Sequence, residues 1–201
     1  MRLSVPAAGA ILGILAVLLG EVDSTAAHVV YLVLAAGWTW AAFAFCVGLS
    51  QAGKTKSVLL ASASLLVAVV AYYMAKLGRG DFLEADVKDL SGQGRQVAWY
   101  GFWSKTVAWS VVACITGPLL GLAGNLARNN GFHGLPFRLL VPLVALVDTS
   151  QRLDFEASLQ GPVAEATWSI TRLLAVAVAA VLAGKTVADW WARHSARCVR
   201  R

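Results

Sequence analysis

Three ionisable side chains stand inside long apolar stretches of the chain: Lys105, Asp148 and Arg172. A charge within a membrane-spanning helix costs at least about 2.5 kcal/mol on insertion scales, so such residues turn toward the protein interior and commonly mark function. Asp148 follows Pro142 and precedes Thr149, Ser150 and Gln151, a pattern that suits a helix end opening into a cavity. Two readings of it stand side by side. Ion-paired with Arg172, Lys105 or the nearby Arg152, it locks a helix bundle, and a buried pair of that kind need not add stability. In an apolar pocket, desolvation instead favours the protonated carboxyl, which then serves as an acid donor.

The residues around these charges sharpen the pattern. Glu165, Trp168 and Arg172 fall at i, i+3 and i+7, one stripe of a helix that is polar where lipid would require otherwise. Phe102, Lys105 and Trp109 repeat that spacing, with Trp99 and Trp103 as an adjacent i, i+4 pair. Trp38, Trp40, Tyr72 and Tyr73 lie in two further apolar stretches. An interfacial aromatic belt accounts for Trp99 and Tyr100, whereas Trp38, Trp40 and Trp109 sit too deep for it. The expected site is a cavity in the outer half of the membrane. Asp148 is its candidate acid, and Trp38, Trp40, Tyr72, Trp103, Lys105, Trp109, Trp168 and Arg172 are its lining. Glu21 and Asp23 read as solvated loop charges.

Positioning these residues is the task of the apolar blocks. The 201 residues are 58% hydrophobic and 14% charged, against about 25% charged in an ordinary globular domain. Disorder, a disulfide scaffold, a nucleic-acid-binding module and most soluble enzyme folds are excluded on that ground. Six candidate spans run over about 3–20, 27–49, 57–77, 97–124, 137–152 and 164–187, each near the roughly 20 residues a helix needs to cross the hydrocarbon. The expectation is an all-α polytopic membrane bundle forming a single domain, 1–201, multi-pass in the plasma membrane. The fifth span is the weakest, and a five-helix arrangement with a re-entrant fifth element is the alternative.

Charge sets the direction. With the N-terminus inside, the inner segments hold Arg2, Lys54, Lys56, Arg128, Arg138, Lys185, Arg193, Arg197, Arg200 and Arg201, while most carboxylates lie outside. This is the positive-inside pattern and implies N-in, C-in. The net charge of +6 belongs largely to the basic tail, 188–201, which suits an anionic inner leaflet better than nucleic acid. The first span resembles a secretory signal, with Ser24 to Ala26 as a cleavage site, but its length favours a retained helix. Gly9 and Gly13, then Gly117, Gly121 and Gly124, are spaced for close helix approach within the bundle. In the outer loop from Gly78 to Arg95, Phe82, Leu83, Val87 and Leu90 recur at helical spacing, as in a short surface helix.

Other chemistries find no residues to carry them. Cys46, Cys114 and Cys198 form no Cys-x-x-Cys, and His28, His133 and His194 are scattered without metal-ligand spacing, so neither a metal nor a cofactor is expected. No Walker, Gly-x-Ser-x-Gly or His-Glu-x-x-His sequence occurs.

The six-block layout, Asp148 in Val-Ala-Leu-Val-Asp-Thr-Ser, the aromatic run Trp99, Tyr100, Phe102 and Trp103, and Trp38 with Trp40 together resemble the small integral-membrane terpene cyclases of actinobacteria, which act on prenylated indoles and related meroterpenoids. The resemblance is one of layout, without a strict signature. It implies that Asp148 protonates a terminal alkene or epoxide of a hydrophobic prenylated substrate. Trp38, Trp40, Trp103 and Trp168 then guide the carbocation, each ring contributing about 2 kcal/mol in a dry site. The family's paired carboxyl falls to Glu165 or Glu21. No Asp-Asp-x-x-Asp occurs, which argues against magnesium-dependent ionisation of a diphosphate. Gly37-Trp38, Val70 to Tyr73 and Gly117-Pro118-Leu119 are also similar to actinobacterial six-helix proteins without an assigned function. Two other classes stay open: a solute-binding membrane subunit of a transporter, with Lys105 and Arg172 holding a carboxylate or phosphate, and a non-catalytic assembly protein. The oligomeric state is not legible from the residues.

Overall fold

A computed structural model describes residues 4–85, 94–129 and 131–198. Helix α1 (Ser4–Leu18) ends in a 3-10 turn (Leu19–Glu21), followed by α2 (Thr25–Leu34), α3 (Gly37–Ser50) and α4 (Lys54–Arg79). Strands β1 (Leu83–Ala85) and β2 (Arg95–Val97) precede α5 (Trp99–Leu126), α6 (Leu135–Phe155), α7 (Ala157–Gln160) and α8 (Pro162–Cys198). The class is all-α. Four helical stretches are long and apolar enough to cross a membrane, Ser4–Glu21, Lys54–Arg79, Trp99–Leu126 and Pro162–Ala192, or five when α2 and α3 are counted as one bent span.

Two of the expected spans differ from their reading. The second, 27–49, is not one helix: α2 and α3 meet at an angle of 62°. Ala36, extended at φ −74° and ψ 140°, breaks the ladder. The fifth is a continuous helix of 21 residues with Pro142 inside it. Arg138, Asp148, Arg152 and Asp154 interrupt its apolar sequence, which keeps α6 outside the group of spanning candidates.

The outer loop also departs from expectation. Helix α4 stops at Gly80, whose φ of 88° is left-handed and free of a Cβ penalty. Residues 83–85 then pair antiparallel with 95–97, Leu83 opposite Val97, so the described part of this loop is a hairpin and not a surface helix. Phe82 turns inward and is buried. Val87 and Leu90 lie outside the described residues.

Helix α4 is the centre of the bundle. It packs against α1 and α5, while α3 leans on both α4 and α5. Helix α6 joins this group through α3 and supports α8, which also touches α2 and α7. Close approach depends on missing side chains. A Cβ at Gly121 would lie 2.6 Å from the Ser57 carbonyl oxygen and 2.7 Å from the Ala61 Cβ, and one at Gly48 would run into the Gly121 backbone. The glycine repeats therefore serve packing inside the bundle, α1 on α4 through Gly9 and Gly13, and α5 on α3 and α4 through Gly117, Gly121 and Gly124.

Polar clasps finish the ends. At the basic end, Asn125 and Arg128 donate to the Gln51 carbonyl at 2.7 and 2.9 Å, and Arg138 donates to the carbonyls of Ala127 and Asn129 at 2.8 and 2.9 Å. These arginines satisfy the free carbonyls that helix C-termini leave. At the acidic end, Arg79 holds Asp81 through two hydrogen bonds and reaches the Val17 carbonyl of α1 at 3.3 Å.

Gly121→Ala should cost about 1–3 kcal/mol of stability, measured by unfolding in mixed detergent micelles. Gly184→Ala, where a Cβ meets nothing within 4 Å, should be neutral or gain up to about 1 kcal/mol. Equal effects of the two changes would contradict the packing described.

Candidate functional site

The expected site residues separate into two clusters and a pair of outward-facing charges. The first cluster surrounds the break between α2 and α3. Breaking a helix in an apolar setting frees carbonyls and amides that must find partners. Thr39 Oγ1 donates to the Val33 carbonyl at 2.5 Å, and Trp40 Nε1 donates to the Leu34 carbonyl at 2.9 Å, closing the end of α2. Asp148 closes the start of α3. Its Oδ2 accepts from the Trp38 backbone N–H at 3.3 Å, where the helix N-terminus favours negative charge.

Asp148 belongs at the same time to a ladder along α6. Its Oδ1 lies 3.3 Å from Arg152 Nε, and Arg152 Nη1 lies 3.1 Å from Glu156 Oε2, each pair four residues apart. The Arg152 guanidinium also sits over the Trp168 ring, 5.7 Å from its centroid. Trp168 is 1% exposed, and its indole N–H has no acceptor among the described residues. Of the partners foreseen for Asp148, Arg152 is the one it meets. The signal was present in the sequence as an i, i+4 Asp–Arg spacing on one helix.

The second cluster is a line of aromatic rings joining α3, α4, the hairpin and α5. Trp40 meets Tyr72 edge-on at 5.7 Å, Tyr72 meets Tyr73 at 5.2 Å, and Phe82 bridges Tyr73 and Phe102 at 6.4 and 5.5 Å. Trp103 closes on Phe102 at 5.1 Å. Such edge-to-face pairs are worth about 0.5–1.5 kcal/mol each beyond their burial. Beside this line opens a cleft of about 400 Å³ lined by Tyr73, Lys76, Asp81, Phe82, Lys105 and Trp109.

Two cations enter the cleft in different circumstances. Lys76 is 3.5 Å from Asp81 Oδ2 and also lies over the Tyr72 ring. Lys105 lies 5.6 Å from the Phe82 ring centroid, and among the described residues no carboxylate comes within ion-pair distance of it. The rim is shaped by the Gly80 turn and by the Ala98 N–H, which donates to the Phe82 carbonyl at 2.7 Å. Partial burial pushes the Asp81 carboxyl up, but the Arg79 hydrogen bonds and the charges of Arg79 and Lys76 outweigh it and hold it below the ordinary value of 3.8.

Glu165 and Arg172 join neither cluster. Ala164, Trp168 and Ala175 form the buried side of α8. At 100° per residue, Glu165 and Arg172 are turned about 60–80° away from that side, and both are exposed. The stripe read at i, i+3 and i+7 is thus split, because the large Trp168 side chain reaches inward while its neighbours do not. Trp103, 57% exposed, turns away from the buried stripe of Phe102, Thr106 and Ala113 on α5, whereas Trp109, 54% exposed, continues that stripe to the edge of the cleft. Lys105, Asp148 and Arg172 do not share one cavity: α5 packs on α3, α4 and α6, whereas α8 packs on α6, α7 and α2. Lys76, Asp81, Phe82 and Tyr73 were not foreseen as one lining, since the left-handed turn at Gly80 brings them together. Among the described residues, no group of three or more His, Cys, Asp or Glu side chains is arranged to hold a metal ion.

The chain matches no protein-family model, no curated protein and no solved structure.

Asp148→Leu should destabilise the bundle by about 1–3 kcal/mol, because the Trp38 N–H and the Arg152 guanidinium lose their acceptor; Asp148→Asn keeps an acceptor and should lose less, a difference readable by thermal unfolding in detergent. For Asp81, the folded value is depressed, so its contribution is present above pH 3.8 and is lost as pH falls through the folded value. Hydrogen exchange at Asp81 and Phe82 should therefore rise below that pH, and Asp81→Asn should remove the dependence.

Proposed function

We propose that the protein is a multi-pass plasma-membrane protein, crossing about six times with both ends cytosolic, whose cleft between α4 and α5 captures an anionic amphiphile at the outer leaflet. The orientation is supported by the basic end, which carries Lys54, Lys56, Arg128, Arg138 and Lys185, and by the carboxylates gathered at the other. From Lys56 to Lys76 the chain advances twenty residues along α4, about 30 Å, the thickness of the hydrocarbon. That advance supports a position of the cleft level with the outer headgroups.

The observation that carries the reading is Lys105. Its ammonium has an aromatic ring beside it and no ion-paired carboxylate among the described residues, in a cleft whose other walls are Tyr73, Lys76, Asp81, Phe82 and Trp109, the Asp81 carboxylate being held by Arg79 and Lys76. Two ammonium groups over aromatic walls suit a carboxylate or phosphate joined to an apolar body. Lys105 and Trp109 keep the binding role read from their spacing, and Lys76 takes the place expected for Arg172.

The resemblance to membrane terpene cyclases suggests catalysis instead, with Asp148 as acid, Glu165 as second carboxyl and a prenylated substrate. It draws less support from the geometry. Both Asp148 oxygens act as acceptors, from the Trp38 N–H and toward Arg152. Glu165 is exposed in the first turn of α8, where a carboxylate complements the helix N-terminus. Trp38 meets Asp148 of α6 through its backbone N–H and Trp168 packs with Leu32, Ala157 and Arg152, so neither is among the residues lining the cleft. Ligand capture without chemistry is the reading we adopt.

A brominated long-chain fatty acid added to the reconstituted protein should quench part of the tryptophan emission, and Lys105→Met should weaken the apparent affinity about ten- to a hundredfold. Quenching equal in the wild type and the variant would count against the cleft as the binding site.

A further inference from the structure

The exposed side of α8 is not uniform. Leu173, Leu174, Ile170 and Val181 are each more than half exposed and occupy one sector, a surface of large aliphatic side chains suited to lipid tails. The neighbouring sector reads Glu165, Ser169, Arg172, Val176, Ala180, Ala183 and Val187, a three-to-four-residue repeat in which the small Ser169, Ala180 and Ala183 alternate with valines and two charges. Small residues at that spacing let a second helix approach closely in a membrane, where aliphatic bulk is not needed for solubility in lipid.

Arg172 stands in this sector. Glu165 and Lys185, both exposed, are twenty residues apart on α8, about 30 Å, and so mark the two edges of the hydrocarbon. Arg172 lies seven residues inside the first edge, about 10 Å deep. Snorkelling toward the headgroups shortens that depth without removing it. No carboxylate among the described residues pairs with Arg172, although Asp148 and Glu156 on the adjoining α6 are both taken by Arg152. An exposed arginine at this depth needs an anionic partner from outside the chain.

A second copy of the same chain does not supply it. Copies in one membrane share an orientation, so a symmetric dimer through this sector would run α8 parallel to its mate and set Arg172 against the other Arg172. We infer that this sector of α8 docks a transmembrane helix of a different protein, one carrying an Asp or Glu about 10 Å below the outer headgroups. The contact would join a charge pair at Arg172 to close packing along Ser169, Val176, Ala180 and Ala183, and it is independent of the cleft between α4 and α5.

The test uses the full chain in vesicles with a designed single-span Leu/Ala peptide, dansyl-labelled, bearing one Asp seven residues from its outer end. Energy transfer from the protein's tryptophans reports association. Wild type should bind this peptide at least about tenfold more tightly than the same peptide with Leu for Asp, one charge-assisted contact being of that order. Arg172→Gln should abolish the preference, and Ala180→Phe, which leaves the charge in place, should lower binding of the Asp peptide. Should Arg172→Gln fail to fold, Arg172→Lys and Ala180→Phe carry the comparison, Lys retaining the preference and Phe weakening binding of the Asp peptide; a preference absent with Lys, or unchanged binding with Phe, would overturn the inference. No preference for the Asp peptide in wild type, or a preference that survives Arg172→Gln, would overturn the inference. So would disulfide-linked dimers of Ala180→Cys formed without peptide, which would assign the sector to a second copy.

Discussion

Backbone amides and carbonyls cannot be left open in an apolar interior, and in this protein that constraint acts most strongly where the second apolar block bends between Leu34 and Gly37. The bend frees the last carbonyls of α2 and the first amides of α3. Thr39 and Trp40 turn back to cover the carbonyls, and Asp148 comes from α6 to meet the Trp38 N–H. Each of these side chains would otherwise be available for ligand chemistry. Asp148, once engaged at α3, also sets the position of Arg152, and through Arg152 the approach of Trp168 and α8. The half of the bundle formed by α6 and α8 is thus attached through this polar joint together with apolar contacts of Phe137, Leu140 and Val141 on Phe45, Ala123 and Ala127, whereas α1, α3, α4 and α5 are joined by close glycine and alanine contacts.

That division separates two kinds of interior. Around Gly48, Gly117 and Gly121 the helices approach so closely that no cavity can form, and the energy lies in dispersion over many atoms. Near the acidic ends of α4 and α5 the helices are kept apart by rings, Tyr73, Phe82 and Phe102 among them, and space opens beside them. Large aromatic side chains there do two things: they hold the hairpin down, and they leave an amphipathic wall on which Lys76 and Lys105 project.

Much of the architecture was legible in the residues. Apolar length alone marks α1, α4, α5 and α8, because no soluble fold tolerates such stretches, and the glycine spacings point correctly to helix contacts. The site was legible only in its parts. Lys105 and Trp109 do share a cleft, and Asp148 is indeed held among polar partners. Yet periodicity on α8 grouped Glu165, Trp168 and Arg172 because a 3.6-residue repeat fixes angle but not the reach of a side chain. Trp168 extends into the contact with α6, while Arg172, only about 40° farther round, stays outside.

Composition and charge order by themselves determined that this is a helical protein with stretches able to span a membrane, six by the sequence and four to five by the helices that form, and that most of its basic residues alternate with its carboxylates along those stretches. Those properties depend on local content: the transfer cost of each side chain and the count of residues per turn. Which charge meets which was decided by tertiary structure. The bend at Ala36, the left-handed turn at Gly80 and the docking of α8 on α6 each move residues by a rotation that no one-dimensional spacing contains, and those rotations assign Asp148 to α3 and Lys105 to the cleft and leave Arg172 facing outward.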